Sequence, residues 1–172
     1  MSRPDATRLS CAGVVAAIAL VVTPARATTF VALTFQQLIA QADVIFIGDV
    51  VDVRPYTQRT RTGTLVKTRV TFRVDDALYG TNSLVEVFDF LGGQADGIGM
   101  AVEGMPKFAV GDRRVVFARR RASINPIVGF TQGLLRVGRD TSGVERLSES
   151  TAITLTDLRS RIVSALAESG KR

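Results

Sequence analysis

The sequence predicts a mainly β fold: a small Greek-key barrel, with a short helix before it and a C-terminal helix after it. Three observations support this class. At least five segments have the apolar or alternating pattern of β-strands, and glycines interrupt several of them as bends would. The two helical signals lie before the first strand and after the last one. Residues 28–172 are therefore predicted to form a single domain.

The segment in front of this domain, residues 1–27, has the pattern of a secretory signal peptide. Two arginines precede an apolar core, Ala12–Val22, and an Ala-x-Ala cleavage site ends at Ala27. The apolar core is about half the ~20 residues that span a bilayer, so no transmembrane anchor is expected after cleavage. The sequence thus predicts export, either to the periplasm or out of the cell.

The cysteine and histidine content excludes several chemistries. The single cysteine, Cys11, belongs to the signal segment, so the mature chain would have no disulfides to hold it. Histidine, the commonest general base and metal ligand, is absent from the whole chain. Ser-His-Asp and Cys-His sites are thereby excluded, and zinc lacks its preferred ligands. We predict no catalytic residues, no cofactor and no metal site.

The first helix and the first strand follow the signal directly. Thr34 can cap a helix that carries Gln37 at its third position, which is the pattern of a capping box. Asp43–Arg54 is predicted to be a central strand, because Val44–Ile47 is apolar on both faces. Gly48 interrupts this strand and would form a bulge or a bend.

Two more strands are predicted after a hairpin loop. Pro55 has no amide hydrogen and is expected to weaken pairing, so the loop is placed at Gln58–Thr64. Val66–Val74 alternates between apolar and polar residues, which predicts a strand with one buried and one solvated face. Leu84–Leu91 is predicted to be the third strand.

The C-terminal half is predicted to contain a hairpin, a bent strand and the last helix. A two-residue turn at Gly111-Asp112 would join a short strand, Phe108–Val110, to Arg113–Arg119. Ile127–Arg139 is predicted to be one strand that bends at its glycines. The helix is predicted over residues 156–168. Its apolar stripe consists of Leu158, Ile162, Val163 and Leu166.

Four stretches carry a family resemblance: Leu33–Gly48, Thr68–Gly80, Gly92-Gly93 and Phe108–Phe117. In this order they resemble a group of uncharacterised bacterial secreted domains and, more distantly, the netrin-like barrel of the tissue inhibitors of metalloproteinases. The resemblance implies an OB-like barrel over about Leu33 to Val137. Those inhibitors bind the protease zinc through an N-terminal cysteine. The mature chain would begin at Thr28 without one, so no inhibitory residue is carried over.

The chain is basic, with 22 Lys and Arg against 16 Asp and Glu and a net charge of +6. The densest basic cluster lies at the end of a predicted strand. It consists of Arg113, Arg114, Arg119, Arg120 and Arg121. Such a cluster could bind a polyanion, or it could be a solvated strand end that discourages edge pairing. No aromatic residues alternate with these arginines, so a nucleic-acid partner is not expected.

The glycine-rich loop Gly92–Pro106 is the second candidate contact surface. Gly97-Ile-Gly99 lacks the third glycine and the following helix of a phosphate-binding loop. Loops at the mouth of a small barrel often carry binding sites. The residues that we expect to make contact are Gly93, Gly97, Met100 and Met105.

These features predict an exported, non-catalytic binding module whose partner is a protein or an anionic polymer of the cell envelope. Its contact surface would combine the loop 92–106 with the strand end 113–121. One alternative is a secreted hydrolase, or an accessory domain of one, that uses carboxylates such as Asp89 and Asp96. That function requires the two carboxylates to converge in a pocket. A second alternative is a structural envelope protein that associates through an exposed strand edge.

Overall fold

A computed structural model describes residues 31–171, and the fold within this range is mainly β. The signal segment and its cleavage site at Ala27 lie outside the described residues. In chain order the elements are α1 (Phe35–Gln41), β1 (Val44–Thr60), β2 (Gly63–Tyr79), β3 (Val85–Leu91), β4 (Gly93–Ala95), β5 (Ile98–Met100), β6 (Arg113–Ala118), β7 (Leu134–Arg139), β8 (Glu145–Leu147), β9 (Ser150–Thr154) and α2 (Leu155–Glu168). No helix in the described range is long and apolar enough to cross a membrane.

Seven strands form one antiparallel sheet in the order β3-β2-β1-β6-β7-β8-β9, and β4 and β5 form a separate hairpin. The mainly β prediction is confirmed. Closure into a barrel stays a prediction, because no hydrogen-bonded pairing joins β3 to β9 in the described range. Two contacts do bring the segment after β6 to β3. The Leu91 amide donates to the Ile124 carbonyl at 2.9 Å, and the Arg120 side chain reaches Glu86.

The central position of β1 follows from its sequence, as predicted. Ile45 and Ile47 face a core cluster that the two helices cover. Val44 and Phe46 face a second cluster, formed with β2 and β3, on the other side of the sheet. A strand with apolar side chains on both faces is stable only between two such layers. Gly48 coincides with a shift in the β1–β2 register, so the predicted bulge is confirmed.

The hairpin that joins β1 and β2 is tighter than the predicted loop over Gln58–Thr64. Pairing continues as far as Thr60 opposite Gly63, and Pro55 lies opposite Thr68 within it. Pro55 is tolerated because β6 pairs with β1 only as far as Asp49, so only β2 pairs with β1 at the proline. In β2, the buried and solvated faces alternate as predicted.

The prediction of a strand over Phe108–Val110 was wrong. This segment has no strand partner in the described range; instead, Gly111 and Asp112 exchange backbone hydrogen bonds with Val50. Those bonds, of 2.8 and 2.9 Å, align β6 beside β1 without a preceding strand. Phe108 is thereby free to pack its ring against the core cluster between β1, β2 and β3.

The prediction of a continuous strand over Ile127–Arg139 was also wrong. Ile127 forms a single bridge with Ala118, and the chain then turns through residues 128–133 before β7 begins. Gly129 and Phe130 are consecutive residues with positive φ, 62° and 64°, a left-handed conformation that interrupts a regular strand. The glycines in this segment therefore form a turn rather than bends in a strand.

Both helices begin at capping residues. Thr34 and Gln37 form the predicted capping box of α1, and the Thr154 side chain accepts a hydrogen bond from the Asp157 amide at the start of α2. Leu158, Ile162 and Leu166 are buried against the sheet, as predicted for the stripe. Val163 is 46% exposed, so its assignment to the stripe was wrong.

The two helices are also tied together after α2 ends. The Lys171 amine donates to the carbonyl oxygens of Ile39, Ala40 and Ala42 at 2.8–2.9 Å. These carbonyls belong to the last turn of α1, which a cation stabilises. Lys171, which follows α2, thus caps the C-terminal end of α1.

Candidate functional site

A cavity of about 430 Å³ lies between the β4–β5 hairpin and the segment that leads to β6. We call it the hairpin cavity. Its walls come from residues 91–93 and 100–102, from residues 105–108, and from Val53, Thr68 and Phe90 of the main sheet. The volume is within the range of small-ligand sites, which are concave and mostly apolar.

Backbone geometry at two glycines forms one wall of the hairpin cavity. Gly92 and Gly93 have φ of 105° and 128°, values that favour glycine. A Cβ on Gly93 would lie 2.4 Å from the Thr68 hydroxyl oxygen, so only glycine fits there. That hydroxyl donates to the Gly92 carbonyl at 2.7 Å. The hairpin is therefore held against β2 at a fixed place.

Aromatic rings form the floor of the hairpin cavity. The centroids of the Phe90 and Phe108 rings are 4.7 Å apart, and Phe108 also meets Phe72 edge to face at 5.8 Å. Val53 and Met105 pack against the same core cluster. The floor is therefore continuous with the rigid interior of the sheet, while the opposite wall consists of a short hairpin and a loop.

Three of the four loop residues predicted from the sequence line the hairpin cavity, and the fourth does not. Gly93, Met100 and Met105 line the hairpin cavity. Gly97 lies at the tip of the β4–β5 turn, where a Cβ would meet nothing within 4 Å. The stretch 92–106 is thus a short hairpin with a following loop, and three of its four predicted residues share one concave surface.

Lys107 is the single charged residue in the lining of the hairpin cavity. The side chain is exposed, and no carboxylate lies within ion-pair distance of it in the range 31–171. Sequence reasoning missed Lys107, Val53, Phe90 and Phe108 as site residues. The apolar run that begins at Phe108 could have indicated a residue packed against the core, but it was interpreted as a strand.

Arg113 of the predicted basic cluster is the centre of an ion-pair network. Its guanidinium donates to Asp49 at 3.1 Å and also to Asp75. Its Nε lies 3.0 Å from Glu145 without hydrogen-bond geometry. The hydrogen bond from Arg113 holds the pKa of Asp75 below its usual value, with Arg73 adding to the effect and burial opposing it. Arg113 thus joins β1, β2, β6 and β8.

Two further arginines of the cluster are also paired internally. The Arg114 side chain is 5% exposed and contacts Asp112 at 2.6 Å. Burial alone would raise the pKa of Asp112, but Arg114 and the donating Ala109 amide together lower it. Arg120 donates to both oxygens of Glu86, whose side chain is 6% exposed.

Arg119 and Arg121 are the exposed members of the cluster. Neither has an ion pair among the residues that the structure describes. The five arginines therefore do not form one surface: three neutralise carboxylates of the fold, and two project into solvent.

The carboxylates Asp89 and Asp96 of the hydrolase alternative do not converge. Asp89 accepts from the Tyr56 hydroxyl at 2.9 Å, and Asp96 accepts from the Thr57 hydroxyl at 2.7 Å. Tyr56 and Thr57 are neighbours in β1, so their side chains project from opposite faces of the strand. Arg69 also binds Asp89 through two hydrogen bonds and lowers its pKa.

Three larger depressions, of about 590, 700 and 820 Å³, also mark the surface. The smallest of the three lies beside α2 and the Arg113 network, and its Arg159 is paired with a carboxylate of β2. The depression of about 700 Å³ contains the network around Arg113, whose charges are already paired. The largest also lies beside α2, and its cations Arg120 and Lys171 are bound to Glu86 and to backbone carbonyls. The hairpin cavity, in contrast, offers an apolar surface and a cation without an internal partner. Within residues 31–171, no group of three metal-ligating side chains surrounds a common point.

Comparison with known proteins gives no match to a family model, a curated protein or a solved structure. The netrin-like resemblance therefore stays a prediction. The geometry of the site alone carries the functional argument below.

Proposed function

We propose that this chain is an exported, non-catalytic binding module that recognises an apolar group in the hairpin cavity. The observation that carries the proposal is the cavity itself, an apolar concavity of about 430 Å³ at the surface of a packed core. Small-ligand sites in proteins are typically concave, mostly apolar and a few hundred cubic ångströms in volume. Export is proposed from the signal pattern of residues 1–27.

The arrangement of the walls supports recognition rather than simple packing. The floor, Phe90 and Phe108, belongs to the rigid core. The lining also contains Met100 and Met105, and methionine side chains adapt their shape to different apolar ligands. A rigid floor with adaptable side chains in the lining suits a binding site, because little of the site has to be ordered when the ligand arrives.

The arginine strand end has a smaller part in this proposal than the sequence predicts. Binding a polyanion through Arg113, Arg114 or Arg120 would require breaking their contacts with Asp75, Asp112 and Glu86. Of the five arginines in the cluster, only Arg119 and Arg121 are exposed without such a carboxylate partner in the described range. We therefore place the recognition site in the hairpin cavity and not at the strand end.

The separation of Asp89 from Asp96 supports the non-catalytic part of the proposal. A pair of catalytic carboxylates has to face one substrate bond from positions a few ångströms apart. Each of these carboxylates is instead bound to a hydroxyl group on a different face of β1. The structural-protein alternative has a candidate surface in β3, where Val85 and Val87 are 49% and 48% exposed, but nothing identifies a strand that would pair there.

A neutral apolar dye, N-phenyl-1-naphthylamine, tests the proposal. We expect its fluorescence to rise when it binds the protein and to rise much less with Ala101→Phe, which adds a ring at an exposed wall of the cavity. Ala152→Phe, at an exposed position on β9, is the matched control and should bind the dye like the unchanged protein. Equal binding by both variants, or no binding by any of the proteins, would contradict the proposed site.

Export is tested separately. The full chain, expressed in its own host, should be recovered from the periplasm or medium with a new N-terminus at Thr28, as read by N-terminal sequencing. Recovery of an uncleaved chain from the cytoplasm would contradict the export part and leave the cavity unaffected.

A further inference from the structure

The charge pattern around the hairpin cavity indicates what kind of apolar ligand it accepts. Its lining contains one cation, Lys107, and no carboxylate. The Thr68 hydroxyl already donates to the Gly92 carbonyl, so it offers no free donor to a ligand. The one free polar group in the side chains of the lining is therefore a primary ammonium.

We infer, on the basis of the proposed function, that the ligand is a single-chain amphiphile with one anionic head group: an alkyl chain in the cavity and a carboxylate-like group at Lys107. The exposed ammonium stays hydrated beside a purely apolar ligand and contributes nothing to its binding, whereas it repels a cationic ligand. A ligand with several charges would find only one complementary group.

Three features of the cavity suit a single alkyl chain. The lining contains Met100 and Met105, whose unbranched side chains follow the contour of a flexible chain. Its floor is already occupied by the Phe90 and Phe108 rings, which pack against each other. Finally, a volume of about 430 Å³ lies within the range of sites that hold one small ligand.

Lys107 can hold the head group without a cost elsewhere in the fold. Among residues 31–171, it has no ion pair that a ligand would have to break. Arg113, Arg114 and Arg120, in contrast, are each engaged with carboxylates. An exposed ammonium at the rim attracts an anion from solution and remains solvated when the head group arrives, so it favours anionic over neutral and cationic ligands.

The test measures displacement of the neutral dye from the full exported protein by decanoate, decanol and decyltrimethylammonium, all kept below their micellar concentrations. We expect decanoate to bind most tightly and decyltrimethylammonium most weakly. Octanoate should bind more weakly than decanoate, by up to about fourfold for each missing methylene that the cavity would have buried. Acetate, which has the head group alone, should not displace the dye.

Lys107→Gln should weaken decanoate binding by roughly two- to fivefold and leave decanol and the dye unchanged, because an exposed ion pair contributes little and only the anionic ligand forms one. Arg61→Gln is the matched control: it removes one exposed positive charge at the β1–β2 turn, away from the cavity lining, and should leave all affinities unchanged. Circular dichroism of each variant checks that the fold is retained.

The inference would be overturned if decanol or decyltrimethylammonium bound as tightly as decanoate, or if Lys107→Gln and Arg61→Gln behaved alike. The dye would still bind in those cases, and the proposed apolar recognition site would stand. Failure of the dye itself to respond to Ala101→Phe would remove the proposed function and the inference together. Binding only to vesicles of anionic phospholipid, with no competition by decanoate, would assign the site to a membrane surface and overturn the single-chain ligand.

Discussion

Arg120 and Glu86 are 34 residues apart in the sequence and form a partly buried pair. The Glu86 side chain is 6% exposed, and both of its oxygens accept hydrogen bonds from the Arg120 guanidinium at 3.1 and 3.2 Å. The same guanidinium donates to the Gly80 carbonyl at 2.8 Å. One arginine thus joins the segment after β6 to the end of β2 and to β3.

Arg120→Ala is expected to lower the free energy of unfolding by about 1–3 kcal/mol, because it leaves the buried Glu86 carboxylate without its partner. Arg121→Ala, at the exposed next position, should change it by no more than about 0.5 kcal/mol. Urea unfolding followed by circular dichroism measures both. Equally small effects of the two substitutions would contradict the stabilising role of the Arg120–Glu86 pair.

The arginine run could not be interpreted correctly from the sequence for a physical reason. Three consecutive arginines look alike in a one-dimensional pattern, but only Arg120 is directed at a buried acid on another strand. Glu86 shares one face of β3 with two phenylalanines, but the opposite face carries two valines, so the local pattern does not show which face is buried. Among the loop residues, Gly93, Met100 and Met105 line one cavity. That they contact a partner stays a prediction.

At the scale of elements, strands whose pattern is complete in itself were predicted well. β2 alternates throughout, and the apolar run Val44–Ile47 fixes β1 between two layers. The segment Ile127–Arg139 misled because its apolar content resembles a strand, while its conformation is decided by the positive φ of Gly129 and Phe130. β9 was not predicted at all, since it is only five residues long, is separated from β8 by two residues and is followed directly by α2.

The bulge at Gly48 gives a prediction for β1. A Cβ at this position would lie 2.2 Å from the Arg73 carbonyl oxygen, which belongs to the paired strand and cannot move independently. Gly48→Ala should therefore destabilise the protein by about 1–3 kcal/mol, as overpacking of a core does. Thermal unfolding and urea unfolding both measure this change.

Gly99→Ala is the control for Gly48→Ala. A Cβ at Gly99 would meet nothing within 4 Å, and its φ is not positive, so the substitution adds a methyl group without strain. Gly99→Ala is expected to change the free energy of unfolding by no more than about 0.5 kcal/mol. If Gly99→Ala lowered the free energy of unfolding as much as Gly48→Ala, the close approach of β2 to Gly48 would not explain the effect. The flexibility of glycine in both strands would then be the cause.

At the scale of the whole molecule, ion pairs join strands that the sequence alone could not place together. Arg113 on β6 contacts Asp49 on β1, Asp75 on β2 and Glu145 on β8. Arg159 on α2 contacts Asp76 on β2 at 2.6 Å. A mainly β class with terminal helices is predictable because each element carries its own periodicity. The pairing of distant charges depends on the strand order, which local patterns do not determine.

These pairs make the stability of the fold depend on pH. The hydrogen bonds from Arg113 to Asp75 and from Arg69 to Asp89 hold the pKa of each carboxyl below its value in the unfolded chain. A group whose pKa is lower in the folded state stabilises the fold fully above the unfolded pKa, about 4 for Asp. That contribution is lost as the pH falls from about 4 through the lower folded-state pKa. Stability should therefore be nearly constant around pH 6–7 and decrease steeply below about pH 4.

Asp75→Asn assigns part of this pH dependence to one group. At pH 7 it should lower the free energy of unfolding by about 1–2 kcal/mol, because Arg113 loses a charged partner. The difference from the unchanged protein should shrink as the pH falls, since Asp75 is then protonated in both states of the unchanged protein. Asp52→Asn is the control, because its partner Arg54 is 75% exposed and such pairs contribute little. If the Asp75→Asn difference persisted undiminished at pH 2–3, its cause would be the changed shape or packing of the side chain, and the Arg113 network would not be the origin of the acid sensitivity.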